Sequence, residues 1–434
     1  MHNLKLRLSL FFIVCLFFSF NKIKAQTIII HCTTYFDSAT AEYKKGEFSF
    51  VISDKKITNI FKGFAIPKLE DITILDLKDK VLYPGFIDMH VHLDHETSPT
   101  RYLDKYQENK ADQALKSIKY CERTLMAGFT TVRDVGGNGV NISLKNAIAR
   151  GDIVGPRVFT SGKALASTGG HADPTNGSNE TYIGNPGPKD GVVNGETDAR
   201  KAVRQRYKNG ADLIKITATG GVLSQAKNSS NPQFTIEEVK AITETAADYG
   251  FHVAAHAHGD DGMRRAVLGG VKTIEHGTLM SKETMELMRK NDVYLVPTII
   301  AGKYVSEKSR IKGFYPEIIR PKAMEIGPKI QDMFARAYKN DVPIAFGTDA
   351  GVFPHGENWK EFGYMIEAGM PVNAAIQSAT LIPAKILKKD NEIGQIKEGF
   401  FADIVALDNI PTEKTTNLFK DVSFIMKEGI VYKM

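Results

Sequence analysis

The chain opens with an apolar run unlike anything after it. Residues 1–25, MHNLKLRLSLFFIVCLFFSFNKIKA, place Lys5 and Arg7 ahead of a hydrophobic stretch from Leu8 to Phe20, followed by a polar segment ending in Ala25. The run is shorter than the ~20 residues a membrane-spanning helix needs, so it reads as a signal peptide cleaved after Ala25, with a periplasmic or secreted product. A retained membrane-anchoring helix is the alternative. From Gln26 to about Leu82 the pattern becomes short apolar runs between turns: TIIIHCTTYFD, EFSFVISDKKITNIF, ITILDLKDKVLYPG. The alternation of Phe48, Phe50 and Ile52 with polar neighbours is the period-two mark of half-buried strands. ADIVALD (402–408) and VSFIMKEGIVYK (422–433) repeat it at the other end. One small β domain assembled from 26–82 and 385–434 is expected.

Between these ends, over 83–384, apolar runs of strand length alternate with helical patterns. The expected strands are Leu82–His92, Phe129–Val135, Arg157–Ser161, Leu213–Thr217, Val253–His256, Thr273–His276, Tyr294–Pro297 and Ile344–Asp349. In TIEEVKAITETAADYG, Thr235 and Glu238 form a capping box and Gly250 marks the stop. Eight βα-like repeats predict an α/β fold of the TIM-barrel type, with a doubly wound open sheet as runner-up. A barrel makes a further demand: reactive side chains should gather at the C-terminal ends of its strands.

They do. Only 11 histidines occur, yet the first expected strand ends in His90-Val-His92, the fifth in His256 and the sixth in His276, while the eighth ends in Asp349. Residues i and i+2 of a strand face the same side, so His90 and His92 can address one centre. Any one of these histidines could be a satisfied core residue. Their shared placement is hard to explain as packing, and imidazole with carboxylate suits Zn, Mn or Fe. Lys215, between Ile214 and Ile216, sits at the matching place on the fourth strand. Burial favours its neutral amine, which can take up carbon dioxide as a carbamate able to bridge two metals; a strand-end lysine reaching solvent or an acid is the plainer alternative.

Composition changes the picture little: 42% hydrophobic, 24% charged and 3 Cys describe an ordinary folded protein. The formal charge of +6 would suggest an acidic partner, but the leader holds four basic residues and no acid. The remainder has 52 basic residues against 50 acidic, +2, which removes the case for nucleic acid. Cys32 and Cys121 are expected as two free buried thiols.

The fragments VLYPGFIDMHVHLDH, GFTTVRDVGG, GPRVFTSG, ADLIKITATGGV, HVAAHAHG, TIEHGT, AFGTDAG and GQIKEGFFADIVALD together resemble the metal-dependent amidohydrolase superfamily. Within it they resemble the branch holding imidazolonepropionase-like proteins and Xaa-Pro dipeptidases (prolidase-like). The resemblance implies a distorted (β/α)8 barrel with a β-sandwich from both ends. It places His90, His92 and Asp349 on one metal and His256 and His276 on a second, with N6-carboxylated Lys215 between two divalent ions, Zn first among candidates. His252 and His258 compete with His256; His256 is preferred because it ends the apolar run. The implied chemistry is a metal-activated hydroxide hydrolysing an amide or peptide bond of a dipeptide, Xaa-Pro-like or N-acyl amino acid substrate, with Asp349 carrying the proton to the departing amine. A cyclic-amide hydrolase or deaminase is the nearest alternative, and an inactive metal- or ligand-binding barrel the next.

The Gly/Pro-rich stretch from Gly162 to Gly210 reads as a functional loop, with His171 as a substrate contact. His355, after the eighth strand, is a second. Relatives in this branch often carry a tyrosine for the substrate carboxylate where this chain has Phe234, which is the third expected substrate contact. Arg133 and Asp134 read as a structural pair, the glycine pairs at 136–137 and 220–221 match no nucleotide motif, and a homo-oligomer is possible.

Overall fold

The structure is a computed structural model that describes residues 27–67 and 71–434; the leader expected at 1–25 lies outside the described residues. Five strands open the described chain: β1 (Thr27–Asp37), β2 (Glu42–Ser53), β3 (Lys56–Lys62), β4 (Ile72–Asp76) and β5 (Val81–Pro84). Seven follow across the middle: β6 (Phe86–Val91), β7 (Phe129–Asp134), β8 (Arg157–Thr160), β9 (Ile214–Thr217), β10 (Val253–Ala257), β11 (Thr273–His276) and β12 (Tyr294–Val296). The last three are β13 (Ile404–Leu407), β14 (Phe424–Lys427) and β15 (Ile430–Lys433).

Strands from both ends share one eight-stranded sheet in the order β15-β14-β13-β5-β1-β2-β3, with β4 paired to β1. The alternation in β2 puts Phe50 and Ile52, with the half-buried Phe48, into a core with Leu82, Ile404 and Phe424. In the middle, β6-β7-β8 and β12-β11-β10-β9 form two parallel sheets. Parallel bridges link them: Leu165 to Ile216, Leu295 to Ile344, and Val91 to Ala350. The parallel pairings therefore run from β6 round to the 344–350 segment and back.

Two expected strands differ. Leu82–His92 is not continuous but breaks at Pro84-Gly85 into β5 and β6, which belong to different sheets. A Cβ on Gly85 would sit 2.1 Å from Thr130 Oγ1, so the chain turns where only glycine lets the strands come this close. Ile344–Asp349 forms isolated bridges rather than a strand; its backbone still bonds its neighbours, Met89 N–H to Phe346 O at 2.9 Å and Asp349 N–H to His90 O at 2.7 Å. The Gly162–Gly210 stretch is not all loop either. Its last part is the helix Glu196–Asn209, which buries Ala199, Ala202, Val203 and Arg206 at helical spacing. The helix Ile236–Ala247 has the expected capping box, Thr235 Oγ1 accepting from Glu238 N–H at 3.2 Å and Glu238 Oε2 from Thr235 N–H at 2.9 Å. Cys32 and Cys121 are free and buried, and burial pushes both thiols up to about 12. Among the described residues no helix is long and apolar enough to cross a membrane.

Candidate active site

Asp88 organises the first half of the site. Fully buried on β6, it accepts from the backbone N–H of His90 (3.0 Å) and Thr348 (3.1 Å), from Thr348 Oγ1 (2.6 Å) and from Asn358 Nδ2 (2.8 Å). That fastens β6 to the 344–350 segment and brings His90, His92 and Asp349 together. Asp349 Oδ1 lies 3.4 Å from His90 Nε2 and 3.2 Å from His92 Nε2. Asp349 (φ +63°), His276 (φ +71°) and Thr298 (φ +55°) all occupy the left-handed region, a strain that clusters at functional sites.

The imidazoles are oriented by partners behind them. His90 Nδ1 donates to Glu275 Oε2 (2.8 Å) and His92 Nδ1 to Gly136 O (2.7 Å). A carboxylate and a carbonyl only accept, so both rings carry hydrogen on Nδ1 and turn Nε2 toward Asp349; burial disfavours the charged His92 ring, but its bond to the Asp349 carboxylate outweighs this and raises it above the ordinary imidazole value. His256 is reversed: Nε2 donates to Gly220 O at 3.0 Å, which leaves Nδ1 bare. His258 Nδ1 meets Thr278 Oγ1 at 2.8 Å and His276 Nδ1 meets Thr298 Oγ1 at 2.7 Å. Two groups result, His90 with His92 and Asp349, and His256 with His258 and His276; within each the donor atoms lie within 4.8 Å of one another. The His90 and His276 rings, 5.1 Å apart, join the groups.

Charge is tuned to match. Burial, with the charge of Lys215, holds His90 down at about 4, and burial holds His258 at about 4 and His256 and His276 well below the ordinary value, so these rings are neutral at neutral pH. Despite burial, the neighbouring His90 and His92 hold Asp349 at about 2, as the carboxylate. Lys215, 4% exposed, is lowered to about 8 by burial; its amine lines the cavity without a hydrogen bond or ion pair to any described residue. Imidazoles backed by acceptors, a carboxylate and an amine made easier to deprotonate by burial fit divalent ions of the Zn, Mn or Fe kind.

The cavity over these residues has a volume of about 390 Å³, within the range of small-molecule sites. One wall is apolar: Ala301, Gly302, Val305, Ile326, Ile330 and Val352. The 162–195 loop contributes His171, Ala172, Pro174 and Lys163 to the lining. His171 stacks on His256 with ring centres 4.3 Å apart, over Gly221, where a Cβ would lie 2.2 Å from its ring.

The six expected metal-site residues, His90, His92, Lys215, His256, His276 and Asp349, all line this cavity, as does His171. Two expected substrate contacts do not. Phe234 is buried in the hydrophobic core, 3% exposed, with its side chain away from the cavity. His355 is buried between Thr124 Oγ1 and His95 O and stacks on Tyr120, a packing role. Arg133 and Asp134 do not pair, because adjacent strand residues face opposite sides. Arg133 instead meets Glu275 at 2.7 Å, and Asp134 accepts from Asn141 Nδ2 and Leu93 N–H. Sequence reasoning passed over Glu275, although an acid inside the apolar TIEH strand was a visible signal. It also set aside His258, which the i+2 spacing from His256 pointed to.

The chain belongs to the amidohydrolase family, whose pattern it matches over residues 81–433. It is 32% identical over 409 residues to ochratoxinase of Aspergillus niger, covering 89% of this chain and 82% of that one. Among solved structures it resembles a Xaa-Pro dipeptidase with methionine bound in its active site: TM-score 0.89, 47% identity, 94% of this chain and 100% of the other. It also resembles a prolidase in complex with N-methylphosphonate-L-proline, with TM-score 0.84, 28% identity and 94% and 100% coverage.

Proposed function

We propose that this chain is an exported metal-dependent amidohydrolase that cleaves the C–N bond of a dipeptide or N-acyl amino acid bearing an apolar side chain. The observation that carries the reading is the orientation of the donors. His90 and His92 present Nε2, His256 presents Nδ1, and each is fixed by an acceptor behind it. We assign His90, His92 and Asp349 to one divalent ion and His256 and His276 to a second, with Lys215 between them as its carbamate. The ring of parallel pairings is read as a distorted (β/α)8 barrel over 83–384, and the eight-stranded sheet as the β domain of 26–82 and 385–434.

When bound, the two ions would supply Lewis acidity toward the scissile carbonyl and toward water. The rest is the work of the chain. Asp349 Oδ1 is turned to His90 and His92, which leaves Oδ2 to take a proton from the attacking water and deliver it to the departing amine. The neutral His171 ring, also in the lining, can orient the substrate by a hydrogen bond. The apolar wall excludes water and seats a side chain of the size of methionine, the amino acid held in the active site of the related dipeptidase.

The test is hydrolysis of a dipeptide and N-acyl amino acid library by protein reconstituted with Zn(II) or Mn(II). Turnover of members with an apolar side chain is expected; no turnover of any amide would sink the proposal. Export rests on residues 1–25, and Edman sequencing of the extracytoplasmic protein should begin at Gln26.

A further inference from the structure

A second cavity of about 690 Å³ adjoins the first, and the two share His95, Arg101, Asn138 and Leu223 among their lining. At this junction one charge has no counterpart. Three cationic side chains line the inner cavity. Lys215 stands among the histidines, and Lys163 is paired with Asp190 at 3.5 Å. Arg101, half-buried, makes no ion pair with any described residue; its one side-chain hydrogen bond runs from Nη1 to Thr97 Oγ1 at 3.2 Å. A guanidinium has five N–H donors, so most of this fork is free.

The acids around it are engaged elsewhere. Asp94 accepts from His95 Nδ1 and Asn138 N–H, each at 2.8 Å, and Glu96 binds Arg123 and the His355 N–H. Glu108 pairs with Lys116, Asp104 accepts from Thr100 Oγ1 at 3.2 Å, and Asp173 accepts from Gly169 N–H at 2.8 Å. No described acid forms an ion pair with Arg101, and a half-buried, unpaired guanidinium lining both cavities suits a planar carboxylate from outside.

We propose that Arg101 binds the free α-carboxylate of the substrate, and so of the amino acid released from it. This deepens the function proposed above and rests on it. With the carboxylate held there, the residue after the scissile bond spans from Arg101 to the histidines with its side chain against the apolar wall. A substrate recognised in this way requires a free C-terminal acid.

Binding of product-like amino acids tests this without turnover. L-Leucine and L-leucinamide, which differ at the carboxyl end, are titrated calorimetrically into wild-type and Arg101→Gln protein, each loaded with Zn(II). Wild type is expected to prefer L-leucine by roughly 10- to 100-fold, the range of a hydrogen bond between charged groups, and Arg101→Gln to erase that preference. Arg101→Gln protein that keeps it, or a wild type that shows none, overturns the proposal. Should Arg101→Gln melt early, Arg101→Lys carries the test: a reduced preference is expected, and an unchanged one overturns it. Loss of the preference in a protein that cleaves no amide would leave carboxylate binding by Arg101 standing and the hydrolase reading fallen. Turnover with an unaltered preference would do the reverse.

Discussion

Glu275→Gln separates the roles of the buried network beneath the histidines. Glu275 is fully buried and binds three partners: Arg133 Nη2 at 2.7 Å, His90 Nδ1 at 2.8 Å and Thr273 Oγ1 at 2.5 Å. Burial opposes its charge, but the Arg133 guanidinium and the His90 bond hold the carboxyl well below its usual range. Glutamine keeps the volume and removes the charge, leaving Arg133, also fully buried, without its counterion. Breaking a buried pair from one side costs about 3–5 kcal/mol. At an unfolding entropy of roughly 2.1 cal/mol/K per residue, that lowers the Tm of a 434-residue chain by roughly 3–5 °C. Loss of the acceptor behind His90 should also weaken metal binding about 10- to 100-fold. Differential scanning calorimetry and competition with a chelator read the two effects. The double variant Arg133→Met/Glu275→Leu removes both charges and should regain most of the stability without regaining metal affinity. A Glu275→Gln protein with wild-type Tm and wild-type metal affinity would refute the reasoning.

Lys215→Ala should reduce bound metal, measured by inductively coupled plasma mass spectrometry, and added short carboxylic acids should restore part of it; unchanged metal content would remove the carbamate from the site. Gly302→Leu fills the apolar wall, where even a Cβ would lie 2.6 Å from Ile330 Cδ1 and 3.1 Å from Gly327 O. It should lower kcat/KM for substrates with leucine or phenylalanine side chains at least tenfold more than for glycine substrates. Glu361, fully buried, caps the helix Ile299–Ser309 by accepting from Ile299 and Ile300 N–H at 2.8 Å each, yet burial outweighs these bonds and raises its carboxyl to about 8. A folded value above the unfolded one of about 4.3 means that stability is lost as pH rises between them. Glu361→Gln should therefore gain on wild type in urea denaturation from pH 5 to pH 8; the opposite trend would show that the amides keep the group ionised.

Much of the site was legible because metal chemistry needs scarce residue types at fixed strand positions. His90, His92 and Asp349 meet where β6 pairs with the 344–350 segment, fastened by the Asp88 side chain, and the i, i+2 rule already oriented the first two. Lys215 was marked by its cost in an apolar strand. What was not legible depends on the route of loops and on side-chain direction. Phe234 and His355 follow strand ends just as His171 does, yet packing turns them into the core while His171 faces the cavity. The partner of Arg133 lies 142 residues away on β11 and appears only when the strands are assembled. Other misses were readable. Pro84-Gly85 is a turn signal inside the apolar run Leu82–His92. The helix Glu196–Asn209 carries a helical apolar stripe that the polar stretch before it concealed.

The central claim is that the two histidine groups and Lys215 hold two divalent ions. An anomalous difference map from crystals of the Zn(II)-loaded protein, recorded at the zinc edge, tests it most directly. The account predicts two peaks, one among His90, His92 and Asp349 and one against His256 and His276, with carbamate density on Lys215 between them. A map without a peak at these residues, or with a single peak and a bare Lys215 amine, would contradict it.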